Sequence, residues 1–323
     1  MAGVALSDFN PRLPWWGGDL QTIRNYALSV DQALPSHAVE RLEVALQDGS
    51  GDRLVAALHL PAESRERPLV LLIHGISGCE TSCYILLAAT YFLARGYPVL
   101  RINQRGAGPS RRLCRQQYHA GRTEDLAALI DRLDPALTRH GVLPIGFSLG
   151  GNLLLKYLGE VGGNGPVRRA ATVSAPIDLA HSCSSLMRWR NYLYHRYILT
   201  HLKRNCTAAG AELSEAERKA ILGAGSLWEL DEGFTAPRHG YASAADFYGA
   251  NSSQSFLSGI RAPTLLIHAQ DDPFVPADPY LKRQWSSEPH LTPLLPKSGG
   301  HLGFHDLTGV WHLRQIERFF AEA

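Results

Sequence analysis

Cysteine is scarce and poorly placed for cross-linking: there are five, Cys79, Cys83, Cys114, Cys183 and Cys206. An odd, scattered set without C-x-x-C fits neither a disulfide framework nor a zinc site. Cys79 and Cys83 lie one helical turn apart, but no His or third Cys at ligand spacing joins them. No metal and no other cofactor is therefore expected. A charge excess is missing too. The 32 Lys+Arg nearly balance 30 Asp+Glu, for a net +2, which gives no electrostatic reason to expect nucleic acid or an anionic membrane as partner. The basic run Arg111–Arg115 is short and reads as a solvated loop. Long apolar runs are absent: Tyr84–Ala94 falls far short of the roughly 20 residues a membrane helix needs, so no integral membrane segment is expected. The opening MAGVALSDFNPRLPWWGGDLQTI has no basic segment followed by an apolar one, so no signal peptide is expected and a cytoplasmic location is. Repeats and low-complexity segments are not visible.

What is present suits a globular chain. Hydrophobic residues make up 45% and charged residues 19% of 323, enough to bury a large core. Short apolar runs alternate with helical patterns, the signature of a parallel sheet with crossover helices. The runs are Arg41–Leu46, Leu54–Leu60, Leu69–Ile73, Val99–Ile102, Val142–Ile145, Ala170–Val173, Leu265–Ile267 and Leu291–Leu295. The first two, close in sequence, predict an antiparallel edge. Helices are predicted near Tyr84–Arg95, Glu124–Leu133 with Thr123 as N-cap, Gly150–Gly159, Pro279–Trp285 and Gly309–Phe320. From about Asp178 to Ser258 the strand rhythm stops. A long helical stretch, Ser184–Arg204, is followed by an amphipathic piece, Ser214–Leu222, and an irregular aromatic-rich segment, Trp228–Tyr248. That is too long for a loop and predicts an inserted subdomain.

Gly146-Phe147-Ser148-Leu149-Gly150 is a G-x-S-x-G between a strand and a helix. A serine on such a sharp turn projects its hydroxyl into open space, and the helix N-terminus behind it offers N–H groups to a developing oxyanion. Pro144 disagrees, since it removes a donor from what should be a central strand. His74-Gly75-Ile76-Ser77-Gly78 follows the strand Leu69–Ile73, where a second oxyanion donor belongs; the pair would be the backbone N–H groups of Ile76 and Leu149. A hydroxyl needs an imidazole to take its proton and a carboxylate to fix the imidazole's tautomer. Asp272 is the favoured acid, with Asp271 beside it and Asp178 as alternatives. His301, surrounded by glycines after the last strand, is the favoured base, with His305 as alternative. The order Ser…Asp…His is the one such a site requires.

These residues resemble the α/β-hydrolase superfamily and, more narrowly, its YheT-like branch, related to the EMB8-type hydrolases. The similarity runs through Gly18–Ile23, His74–Gly78, Gln104–Gly108, Tyr118–Leu126, Gly146–Asn152, Ser174–Pro176, Leu227–Asp231, Thr235–Gly240, Asp271–Phe274 and Gly300–Phe304. It departs at Asp19, where His is more frequent, and at Ala120, where Ser is. The resemblance implies an α/β-hydrolase fold: a mostly parallel eight-stranded sheet flanked by helices, with a helical cap between the sixth and seventh strands. The core would comprise residues 1–177 and 258–323, and the cap residues 178–257. The implied triad is Ser148, Asp272 and His301.

The inserted segment is crowded with aromatics, among them Trp189, Tyr192, Tyr194, Tyr197, Trp228, Phe234, Tyr241, Phe247 and Tyr248. They suit an apolar lid over an acyl pocket, or the packing of a small helical subdomain. The function expected is a serine esterase acting on a small-molecule ester. An acyltransferase on the same triad and a non-catalytic binding scaffold are the alternatives.

Overall fold

The structure is a computed structural model describing residues 7–27, 34, 39–61 and 66–321. Residues 1–6 of the stretch read for a signal peptide, and the outermost ends of the expected core, lie outside the described residues.

The elements that frame the site are α1 (Gly18–Ala27), β1 (Val39–Ala45), β2 (Arg53–His59), β3 (Leu69–Ile73), α2 (Cys83–Leu93), β4 (Val99–Ile102), α3 (Thr123–Asp131), β5 (Val142–Phe147), α4 (Leu149–Val161), β6 (Ala170–Val173), α5 (Leu179–Leu186), α6 (Tyr192–Cys206), α7 (Glu215–Gly223), α8 (Ala244–Asn251), β7 (Thr264–Ile267), β8 (Leu291–Leu294) and α9 (Trp311–Ala321). Eight strands form one sheet in the order β1-β2-β4-β3-β5-β6-β7-β8. The β1–β2 and β2–β4 pairs are antiparallel and the rest parallel. Every predicted strand is present within a residue or two at each end.

The sheet is buried on both faces. Along β3, Leu69, Leu71 and Ile73 join a cluster with Leu129, Leu154 and Leu158 of α3 and α4. Val70 and Leu72 point the other way, toward Ala88 and Phe92 of α2 and Ile316 of α9. Two-residue alternation feeding two apolar layers is why these strands read as unbroken hydrophobic runs.

Pro144 is accommodated by an offset in pairing. Val142 bridges Val167, whereas the β5–β6 ladder resumes at Ile145↔Ala171, so the partner chain takes four steps to β5's three. Ser148 N–H donates to Val173 O, and by the two-residue period position 144 faces that same side. The proline thus sits beside a bulge, where no ladder donor is needed.

Between β6 and β7 there are only helices and turns. Three local expectations are corrected here. The stretch Ser184–Arg204 is not one helix: α5 stops at Leu186 and a one-turn 3-10 segment, Trp189–Asn191, precedes α6. Asn191 makes the break, donating to Ser185 O at 3.1 Å and to Pro273 O at 2.7 Å, so a tertiary anchor overrides helical propensity. The irregular Trp228–Tyr248 contains short helices, a π-helical turn at Asp231–Thr235 and the start of α8. Thr123 is the first helical residue of α3 rather than its cap; its hydroxyl donates to Glu160 instead. Elsewhere, Arg111 is buried rather than solvated, its guanidinium donating to Cys114 O. Among the described residues, no helix is long and apolar enough to cross a membrane.

Several imidazoles are buried, His74, His268, His305 and His312 among them. Burial pushes His74 and His268 down to about 4, and His305 and His312 down to about 3. Folded, they stay neutral while the unfolded chain takes up protons below about 6.5. The sign follows: their contribution is intact at pH 7 and is lost as pH falls from about 6.5 toward 4, by up to about 1.4 kcal/mol per pH unit for each ring. Urea midpoints are expected to fall steadily between pH 7 and pH 4.5, and His312→Asn to flatten that slope. A flat profile for the parent protein would contradict the four neutral rings.

Candidate active site

The serine turn is built by close approach. Ser148 has φ 51° and ψ −124°, a conformation a side chain seldom takes. The flanking glycines permit it: a Cβ on Gly146 would lie 2.5 Å from Gly150 O, and one on Gly150 would lie 2.4 Å from His74 O. The strand end, the turn and α4 are therefore pressed together with nothing between them.

His301 Nε2 stands 3.0 Å from Ser148 Oγ, and His301 Nδ1 stands 2.8 Å from Asp272 Oδ2. The other Asp272 oxygen accepts the N–H groups of Phe274 and Val275 at 2.8 and 3.0 Å. Burial alone would raise the Asp272 carboxyl. The facing imidazole of His301 and these hydrogen bonds outweigh it and hold the group below the usual carboxylate range. Phe274 lies against the His301 ring, centroids 4.5 Å apart.

The alternatives occupy other places. Asp271 accepts Gly300 N–H at 2.9 Å and so shapes the histidine loop. Burial raises its carboxyl despite that bond. Asp178 caps α5, accepting His181 N–H at 3.0 Å. His305 bonds Arg24 and Asn25 of α1.

Ile76 N–H stands between donors that are already used. In the loop after β3, Gly75 N–H donates to Tyr84 Oη at 3.0 Å and Ser77 N–H to Tyr118 Oη at 2.7 Å. The N–H groups of Gly78, Cys79 and Glu80 go to Gly75 O, Ser82 Oγ and Asn103 Oδ1. Between the two tyrosine-held donors, Ile76 N–H has no acceptor among the described residues. Across the turn, Ser148 N–H donates to Val173 O, while Gly151 and Asn152 return to Ser148 O. Leu149 N–H likewise has no acceptor among the described residues.

Sequence reasoning missed the two tyrosines that clamp this loop, although Tyr118 opens one of the matched strings. It also missed the work of α1. Thr22 Oγ1 accepts His301 N–H at 2.8 Å, and Gln21 bonds both His305 N and His305 O. The matched string Gly18–Ile23 was the signal.

Ser148, His301, Ile76 and Leu149 share the wall of a mostly apolar cavity, roofed by Leu186, Ile198, Leu227, Leu230, Phe234 and Phe247. The cap aromatics divide. Phe234, Phe247 and Tyr248 line the cavity and Tyr194 packs on Phe274, whereas Trp189, Tyr192 and Tyr197 face outward. Asp231, also in the wall, is raised by burial and accepts Tyr248 O–H at 2.6 Å. Among the described residues, no cluster of three or more His, Cys, Asp or Glu is placed to hold a metal ion.

The sequence model of the alpha/beta hydrolase fold matches residues 68–306. The chain belongs to the α/β-hydrolase fold family. YheT of Escherichia coli, an esterase by name, is 32% identical over 76% of this chain and 72% of its own. Phospholipase ABHD3 of Mus musculus is 30% identical over 77% of this chain, which spans only 61% of that relative. Among solved structures, an esterase of Pyrococcus furiosus superposes with a TM-score of 0.61, covering 99% of each chain at 14% identity, a likeness of fold alone. This α/β-hydrolase thus carries its Ser, Asp and His at the ends of β5, β7 and β8, the carboxyl edge on which open α/β sheets place their ligands.

Proposed function

We propose that this α/β-hydrolase is a serine esterase that cleaves carboxylic esters with an apolar acyl group through an acyl-enzyme. Ser148 Oγ attacks the ester carbonyl as His301 Nε2 takes its proton, and Asp272 holds the imidazole in the tautomer that can accept it. The N–H groups of Ile76 and Leu149 receive the oxyanion. As the tetrahedral intermediate collapses, His301 returns the proton to the leaving alcohol. It then deprotonates a water that attacks the acyl carbonyl, and Ser148 leaves with that proton. Residues 178–257 serve as the cap, and residues 1–177 with 258–323 as the core.

The observation that carries this reading is the continuous Asp272–His301–Ser148 hydrogen-bond chain opening into an apolar cavity. The names of the relatives, an esterase and a phospholipase, support the ester and the apolar acyl group. The test is peptide mass spectrometry after treatment with a fluorophosphonate. A single adduct on Ser148, absent from Ser148→Ala, is expected. An unmodified serine in folded protein would remove the reading.

A further inference from the structure

The near-neutral charge of the whole chain conceals a segment of one sign. From Leu179 to Ala211 there is no Asp or Glu, but there are Arg188, Arg190, Arg196, Lys203 and Arg204. This segment is α5, the 3-10 turn and α6. His195, Ile198, Leu199 and Cys206 turn the inner face of α6 toward the cap core. Its outer face is not the polar one expected of a solvated helix. Tyr192 and Tyr197 are each 54% exposed there, Leu193 is 79% exposed, and Trp189 in the preceding turn is 90% exposed. Arg196 and Arg204 are exposed on the same helix, and Arg188 beside Trp189. None of these three has a carboxylate partner among the described residues; Arg196 lies over the Tyr192 ring and donates to its hydroxyl at 3.1 Å. Asp19 of α1 bonds Arg190 at 2.8 Å and Tyr194 at 3.0 Å, tying to this face a helix region with Trp16, Leu20 and Ile23 also exposed.

Large apolar groups held in water beside unpaired arginines form the composition of a helix that lies in a membrane interface. Charge complementarity selects the surface. We infer that the outer face of residues 188–204 docks on an anionic phospholipid bilayer, Trp189 and Leu193 entering the boundary between headgroups and acyl chains, and the arginines meeting the phosphates. The whole-chain balance noted in the sequence is no guide to this, because the segment itself carries five cations and no acidic residue.

The test is co-sedimentation of the full chain with vesicles of phosphatidylcholine alone or mixed with phosphatidylglycerol. It is run on Ser148→Ala protein, so that binding is read independently of hydrolysis. Binding to the mixed vesicles, weakened by salt, is expected. Arg188→Gln, Arg196→Gln and Arg204→Gln together should lower partitioning by about fivefold for each charge removed. Trp189→Ser with Leu193→Ser should lower it by about tenfold or more. In the Ser148-containing protein, this second pair should leave turnover of a water-soluble ester at the parent rate. Three results would overturn the proposal. Equal binding to both vesicle types removes the charge argument. Loss with the arginines but not with Trp189 and Leu193 assigns the face to an acidic protein surface. A dimer in sedimentation that Trp189→Ser dissolves assigns it to a second copy of this chain.

Discussion

Replacing His301 by Ala is expected to lower kcat/KM for a short-chain ester by about 10⁵-fold. The reason is local. His301 Nε2 is the base within reach of Ser148 Oγ, at 3.0 Å, and a hydroxyl that keeps its proton is a poor nucleophile. The neighbouring carboxylates divide sharply by the same measurement. Asp272→Asn places an N–H₂ or a neutral carbonyl against His301 Nδ1 and loses the tautomer preference, which costs about 10⁴-fold in kcat. Asp271→Asn can still accept Gly300 N–H with its carbonyl oxygen, so its loss should stay below about tenfold. Steady-state kinetics on the three variants, with circular dichroism to confirm folding, decides the matter. Asp271→Asn falling further than Asp272→Asn would exchange the roles assigned to the two acids. His301→Ala within tenfold of the parent would dismiss the relay altogether.

The largest effect on stability is expected at Arg105, remote from the chemistry. Its guanidinium is fully buried and binds three carboxylates: Asp125 at 2.6 Å, Asp48 at 2.7 Å and Asp52 at 3.1 Å. Burial alone would lower the Arg105 pKa, but Asp125 and Asp48 outweigh it and hold the group above its ordinary value. Removing the cation leaves the buried carboxylates of Asp52 and Asp125 without it, and Arg122, already paired with Asp48 at 3.4 Å and Asp125 at 3.5 Å, can compensate only in part. Arg105→Met should therefore cost about 3–5 kcal/mol, or a Tm roughly 10 °C lower. Arg105→Lys keeps the charge without the planar fork and should recover only part of this loss. Combining Arg105→Met with Asp125→Asn should cost less than the two changes summed, because one uncompensated charge goes with the other. Strict additivity of the melting shifts would mean that Arg105 and Asp125 do not act as a pair.

The sheet was legible because parallel strands covered on both sides leave apolar runs that few other structures produce. The order of Ser148, Asp272 and His301 was legible because each follows a strand, and strand ends were already placed. Elements held by distant partners were not. Helix α1 is a short, mostly polar segment, and its side chains work on residues near the other end of the chain. The end of α5 depends on Asn191 reaching Pro273. The Arg105 cluster joins residues 20 to 57 positions apart in chain order, and a sequence shows an arginine without showing what surrounds it. The outward-facing Trp189, in a segment whose aromatics suit either lid lining or subdomain packing, is illegible for the same reason. Composition shows the aromatics without showing which way each faces.

The contact between Thr22 and His301 spans 279 residues. On a ribosome adding about 5–20 residues per second, α1 is made roughly 15–60 s before the loop it supports. Ser148, the loop after β3 and most of the sheet emerge in the interval, with His301 still unmade. On the proposed mechanism, a nascent chain that ends short of His301 has no base for Ser148. The contact that seats His301 on Thr22 can form only after both ends of this interval have been made.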